Sequence, residues 1–112
     1  MLRVVAFLVI AFTLTFIPVP VGAAGMPEYK LTIRDHRFTP AELVIPADTK
    51  VKLVVVNQDA TPEEFESHEL NREKIVVGNG TISVYVGPLK PGRYPYFGDF
   101  HPGTAKGVLI VR

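Results

Sequence analysis

The chain contains no cysteine. That absence excludes disulfides, thiolate metal sites and cysteine nucleophiles, and a domain of this size must then hold together by packing alone. An excess of charge of one sign is also missing: 12 Lys and Arg stand against 11 Asp and Glu. A balance of this kind argues against nucleic acid or an anionic membrane as the partner. There is no internal repeat, and no Ser, His and Asp arrangement of the kind a hydrolase needs. Gly78-Asn79-Gly80 is a hairpin turn and not a phosphate loop, because no helical pattern follows it.

The one long apolar run lies at the start. Arg3 gives a positive n-region, residues 4–17 form an apolar stretch of signal-peptide length, and Gly22, Ala23, Ala24 and Gly25 supply small residues for a peptidase. The run is short for a bilayer span. The expectation is a signal peptide over 1–24, cut after Ala24, with an uncleaved N-terminal anchor as the alternative. Loss of Arg3 leaves basic and acidic residues equal in number. The remaining 25–112 segment, about 88 residues, is enough for one domain with one core.

From there the chain reads as short apolar segments with frequent punctuation. Leu31 and Ile33 alternate with polar neighbours, predicting a strand over 28–34, and Pro40 ends a short segment around Phe38. Leu43 and Ile45 alternate before Pro46. The strongest strand pattern is 50–57, where Val51, Leu53 and Val55 share one face while Val54 and Val56 suggest partial cover on the other. The acidic stretch 63–70 has the propensity for a helical turn, but Phe65 and Leu70 are too few anchors for a helix. Ile82, Val84 and Val86 alternate, Leu89-Lys90-Pro91-Gly92 is a turn, and Tyr94 and Tyr96 alternate with Pro95 and Phe97. Residues 98–107 break the pattern, and Val108, Leu109, Ile110 and Val111 form a run that suits a strand covered on both sides. About seven strands and no convincing helix predict a small antiparallel β-sandwich. His101 lies in the loop between the last two strands, which makes that loop the candidate site.

These pieces in this order, Phe38-Thr39-Pro40, the Asn57-to-Asp59 end of a Val-rich strand, Leu89-Lys90-Pro91-Gly92 before Tyr94, and His101 followed by Gly107, resemble the cupredoxins. The similarity is closer to the EfeO-type cupredoxin-like domains of exported bacterial proteins, and it covers residues 31–111. The resemblance implies a Greek-key β-sandwich with a metal site at one end. Carried over by position, His101 falls at the family's second His and Gly98 at its Cys. Glu63 or Glu64 stands at its first His, and Ala105 or Lys106 where a Met would be. Blue-copper electron transfer needs the thiolate, so a type 1 site is excluded.

A site of harder donors is the alternative. The three histidines are His36, His68 and His101, and Asp35, Glu63, Glu64, Glu66, Glu69 and Asp99 lie near them in sequence. In the resembling fold the loops carrying His36, Glu63 and His101 converge at one end. Glu66 and His68 are further candidate ligands, and Asp99 is a candidate carboxylate to fix the tautomer of His101. Imidazole and carboxylate suit Cu(II), Zn(II) or iron. The structural alternatives are a loop-capping role for His101, a rim position for His36, and a solvated face for His68 and most of the glutamates. The resulting expectation is a periplasmic protein binding copper or iron, an accessory of an iron uptake system with a membrane permease or a periplasmic iron-binding protein as partner. Copper-dependent oxidation of Fe(II), or a metal-free interaction domain, are the alternatives.

Overall fold

The structure, a computed structural model, describes residues 25–112 together with positions 5, 6, 8, 10, 11 and 13. The expected signal peptide and its cleavage point otherwise lie outside the described residues. Among the described residues, no helix is long and apolar enough to cross a membrane.

Period-two alternation dictates most of the elements. β1 (Glu28–Arg34) buries Leu31 and Ile33, and β4 (Val51–Asn57) buries Val51, Leu53, Val55 and Asn57 while leaving the residues between them half-covered. β2 (Arg37–Thr39) inserts Phe38, and β7 (Thr81–Val86) inserts Val84 and Val86. These four strands make one sheet in the order β2-β1-β4-β7. The second sheet has the order β3-β9-β8-β5-β6. It is built from β3 (Glu42–Ile45), β5 (Glu63–Ser67), β6 (Arg72–Val76), β8 (Gly92–Gly98) and β9 (Lys106–Val111). Its inward residues include Ile45, Phe65, Val76, Tyr96, Leu109 and Val111. Burying each of these large side chains contributes about 1.5–3 kcal/mol, which is what holds two sheets together without a crosslink.

Among the described residues the sandwich is therefore all-β, with nine strands where the sequence pattern gives about seven. The two additional strands are β5 and β6, and β5 occupies the acidic stretch whose pattern was ambiguous. Neighbouring strands override its charge: β5 pairs with β6 along its length and with β8 at Phe65↔Gly98 and Glu66↔Phe97. Two pairings are parallel, β1 with β4 and β3 with β9, so both sheets are mixed rather than purely antiparallel. Alternation reports which face is buried and carries no information about strand direction. The last strand is half-covered rather than enclosed, with Leu109 and Val111 buried and Val108 and Ile110 intermediate.

The parallel pair places the site. Ile33 lies opposite Asn57, so β1 and β4 end side by side, and the turn after β1 meets the loop after β4. The amide of Gln58 donates to the Ile33 carbonyl at 2.8 Å across that junction. β5 begins at the same end and runs antiparallel to β8, which brings the β8–β9 loop there too: the Asp99 amide donates to the Glu64 carbonyl at 2.9 Å. Beneath this end lie Phe38, Phe65 and Tyr96, with ring centroids 5.0–6.2 Å apart.

Candidate metal centre

Alternation on β5 sends Glu63 inward with Phe65 and Ser67, and leaves Glu64 and Glu66 on the other face. Glu63 is only 1% exposed. A carboxylate buried so deeply needs partners, and it has three. Oε1 accepts hydrogen bonds from the amides of Glu64 at 2.9 Å and Phe100 at 2.8 Å, and Oε2 lies 2.7 Å from Nδ1 of His101. A carboxylate only accepts, so His101 carries its proton on Nδ1 and keeps a free lone pair on Nε2.

His36 closes the group. It is the second residue of the two-residue turn between β1 and β2, and both Asp35 and His36 have positive φ, at 52° and 56°. That is the backbone a right-twisted hairpin requires, adopted here without glycine. The Asp59 carboxylate holds the turn: its oxygens accept the amides of Asp35 at 2.8 Å and His36 at 3.0 Å. The bond from the His36 amide is the main reason the Asp59 carboxyl sits below its ordinary value of 3.8. Partial burial opposes the shift, and the Asp35 amide and the two imidazoles add to it. The His36 ring stacks on His101 at a centroid distance of 3.6 Å, 13° from parallel.

His36, Glu63 and His101 thus come together with one ligand atom from each within 4.8 Å of the others, which is the convergence expected from topology. Both Glu63 oxygens are engaged by hydrogen bonds, so the two imidazoles are the donors left for an ion, and imidazole nitrogen suits a borderline divalent ion. The site does not fit blue copper, and the structure adds a steric reason to the missing thiol. Gly98 faces inward beside Tyr96, and a Cβ there would lie 2.5 Å from Cδ of Glu63 and 2.7 Å from Cβ of Ala105. The Glu63 carboxylate fills the space that a side chain at residue 98 would need.

The other candidates go elsewhere. Asp99 is not the partner of His101; Glu63 has that role. Asp99 instead joins Glu64 and Glu66 in a second group whose ligand atoms lie within 4.8 Å of one another, on the outer face of β5. Burial pushes the Glu64 carboxyl up to about 7, and the charges of Glu73, Asp99 and Glu66 add to the shift, with a hydrogen bond to Glu73. His68 is not brought into either group. It is exposed beyond the far end of β5, five residues from Glu63 and so about 16 Å along the strand, with its ring 5.5 Å from that of Phe97. Asp59 is the site residue that sequence reasoning missed. Its signal was present in Asn57-Gln58-Asp59: buried Asn57 accepts the Asp59 amide at 3.0 Å and donates to the Thr61 carbonyl at 2.8 Å, which fixes the loop.

Known proteins share this arrangement of strands. Amicyanin from Paracoccus versutus (Thiobacillus versutus) superposes with a TM-score of 0.61 at 22% identity, covering 83% of this chain and 91% of that one. Auracyanin A, a "blue" copper protein from Chloroflexus aurantiacus, gives 0.66 at 15% identity, covering 79% of this chain and 100% of that one. The metal binding domain of the Streptococcus pneumoniae D39 Cu(I) exporting P-type ATPase CopA, with Cu(I), gives 0.67 at 12%, covering 80% of this chain and 88% of that one. Identities this low carry the fold and nothing more. An uncharacterized protein of Rickettsia prowazekii (strain Madrid E) is 52% identical over 84 residues, spanning 75% of this chain and 67% of that protein. The family model described as "Cupredoxin-like domain" matches residues 4–111, and with that match and the two-sheet sandwich this chain belongs to the cupredoxin-like domain family.

Proposed function

We propose that this protein is an exported metal-binding module of the EfeO type, a cupredoxin-like domain over 25–112 that handles copper or iron in the periplasm. The observation that carries the reading is the convergence of His36, Glu63 and His101 at one end of the sandwich, with His101 held at 2.7 Å by a buried carboxylate. A buried carboxylate that fixes an imidazole tautomer is the arrangement metal-binding histidines commonly need. The solved proteins with this fold include a "blue" copper protein and the Cu(I)-bound metal binding domain of a Cu(I) exporter, which favours copper as the first ion to test. On this reading the protein is an accessory of an iron uptake system, and its partner is a membrane permease or a periplasmic iron-binding protein.

The second reading is enzymatic: copper-dependent oxidation of Fe(II) at the same end of the sandwich, with dioxygen as the electron acceptor. What favours it is the proximity of the outer group, Glu64, Glu66 and Asp99, whose hard oxygen donors suit ferric iron as product.

Cu(II) titration of the purified protein, followed by electron paramagnetic resonance, tests the first reading beside His101→Ala and His36→Ala. One stoichiometric signal of the tetragonal nitrogen-and-oxygen type, lost in His101→Ala, supports it. Binding retained in both variants, or no tight binding, rejects it in favour of a metal-free interaction domain. Ferrous oxidation measured with and without copper then separates enzyme from binder.

A further inference from the structure

His36 poses a geometric problem that the other site residues do not. A nitrogen–metal bond is about 2.0–2.1 Å long and lies near the plane of the imidazole. Two rings stacked at 3.6 Å and 13° from parallel point their lone pairs side by side, so they do not converge on one ion. One ring must turn. His101 is pinned by Glu63, whereas the His36 side chain is 41% exposed. What turns must still be aimed, and the residue placed to aim it is Asp59.

We propose that Asp59 is the positioning residue of His36: its carboxylate keeps the Asp35–His36 turn in its left-handed conformation and accepts a hydrogen bond from Nδ1–H, so that the ring presents the Nε2 lone pair to the ion. The inference rests on reading His36 and His101 as metal ligands. Three observations carry it. First, two consecutive non-glycine residues at φ 52° and 56° are sterically disfavoured, and their two amides are both satisfied by one carboxylate 23 or 24 residues away. Second, Asp59 is itself anchored: its amide donates to the side chain of Asn57, which is 1% exposed, and its carbonyl accepts the Asn79 amide at 2.9 Å. Third, Oδ2 of Asp59 faces Nδ1 of His36 at 3.5 Å, one small ring rotation from a hydrogen bond. The pair repeats what Glu63 does for His101, so each imidazole has a carboxylate at Nδ1 and a free Nε2. The main chain of His36 stays fixed by Asp59 while its ring leaves the stack.

The test uses the full protein, with Cu(II) as the probe and Asp59→Asn as the variant, since Asn keeps one acceptor oxygen for the turn. In the metal-free protein, long-range proton–nitrogen NMR of His36 should give the Nδ1–H tautomer in the wild type and the Nε2–H tautomer in Asp59→Asn. In the titration, Asp59→Asn should weaken Cu(II) binding about 10–100-fold. Adding Asp59→Asn to His36→Ala should weaken it no further. Asp35→Gly, which suits positive φ, should not restore affinity in the Asp59→Asn background. The proposal is overturned by an Nε2–H tautomer in the wild type, by unchanged affinity in Asp59→Asn, by additive losses with His36→Ala, or by rescue through Asp35→Gly, which would mean the turn alone matters. A wild type that binds no Cu(II) sinks the metal reading, and the tautomer comparison still decides the role of Asp59.

Discussion

Adding one methyl group at Gly98 is the sharpest test of how this end of the sandwich is built. A Cβ there would sit 2.5 Å from Cδ of Glu63, where unbonded carbons prefer about 3.5–4.0 Å, so the glutamate must retreat by about 1 Å or more. Overpacking of this kind costs about 1–3 kcal/mol by itself. The retreat also strains the three hydrogen bonds on the carboxylate, each worth about 1.5–3 kcal/mol where a charged group is involved. Loss of one of them with the overpacking gives an expected destabilisation of about 3–5 kcal/mol for Gly98→Ala, a large part of the total of a domain this size. Urea unfolding at neutral pH reads it as a lower midpoint with an unchanged slope. The cause is isolated by a double-mutant cycle with Glu63→Ala, which removes the obstruction. In that background Gly98→Ala should cost about 1 kcal/mol, the remainder being the Ala105 contact at 2.7 Å. Equal costs in both backgrounds, or a Gly98→Ala protein as stable as the wild type, would refute the argument that the carboxylate occupies the space of the missing side chain.

Three further outcomes follow from single groups. Glu63→Gln keeps an oxygen for the amides of Glu64 and Phe100 but turns an NH₂ toward His101, which forces the proton onto Nε2. Cu(II) affinity should fall at least about 10-fold while the unfolding free energy from urea titration changes by no more than about 1–2 kcal/mol, and NMR should record the changed tautomer. Glu64, raised from 4.5 to about 7, holds its proton in the folded protein where the unfolded chain has lost it. Stability should therefore fall as pH rises from about 4.5 to about 7, and denaturation midpoints for Glu64→Gln should be flatter over that window; an unchanged profile would contradict this. The Tyr96 hydroxyl is buried with no hydrogen-bond partner among the described residues, so Tyr96→Phe should raise the stability by about 1 kcal/mol, and a loss in calorimetry would mean that the hydroxyl is satisfied in solution.

Much of the fold was legible because alternation is a local signal. The pattern of Leu31 and Ile33, of Val51 to Val55, and of Ile82 to Val86 gave β1, β4 and β7 nearly to the residue. β5 was ambiguous because its inward set is Glu63, Phe65 and Ser67, two of them polar, and only the partners that satisfy them explain the burial. β6 escaped for a related reason: Arg72, Glu73, Lys74 and Ile75 are all exposed, so the strand has one buried anchor, Val76. What holds it is its ladder to β5 and two long side chains, Arg72 and Lys74, whose nitrogens reach the Tyr85 and Ser83 carbonyls along the outer edge of β7. No window of the sequence contains those contacts.

The site divides along the same line. Residue type alone gave three histidines, His36, His68 and His101, and six carboxylates near them; the resemblance, whose cysteine position holds glycine here, narrowed these to His36, Glu63 and His101. The resemblance supplied the end of the sandwich at which they meet. What could not be read was which carboxylate serves which ring. Asp99 lies two residues from His101 and looked the natural partner, yet strand geometry decides otherwise: Asp99 follows Gly98 on the opposite face and turns outward to Glu64 and Glu66, while Glu63, 38 residues from His101, faces inward through the gap that Gly98 leaves. Likewise Asp59 is 23 residues from His36 and reaches it only because β1 and β4 run parallel and end together. Both carboxylates act across strands, so the chemistry of this end depends on pairing and direction, which a period-two pattern does not encode. The glycine at 98 is then the one local mark of the change: with no side chain at that position, a buried carboxylate takes the space and sets the tautomer of the histidine that the loop presents.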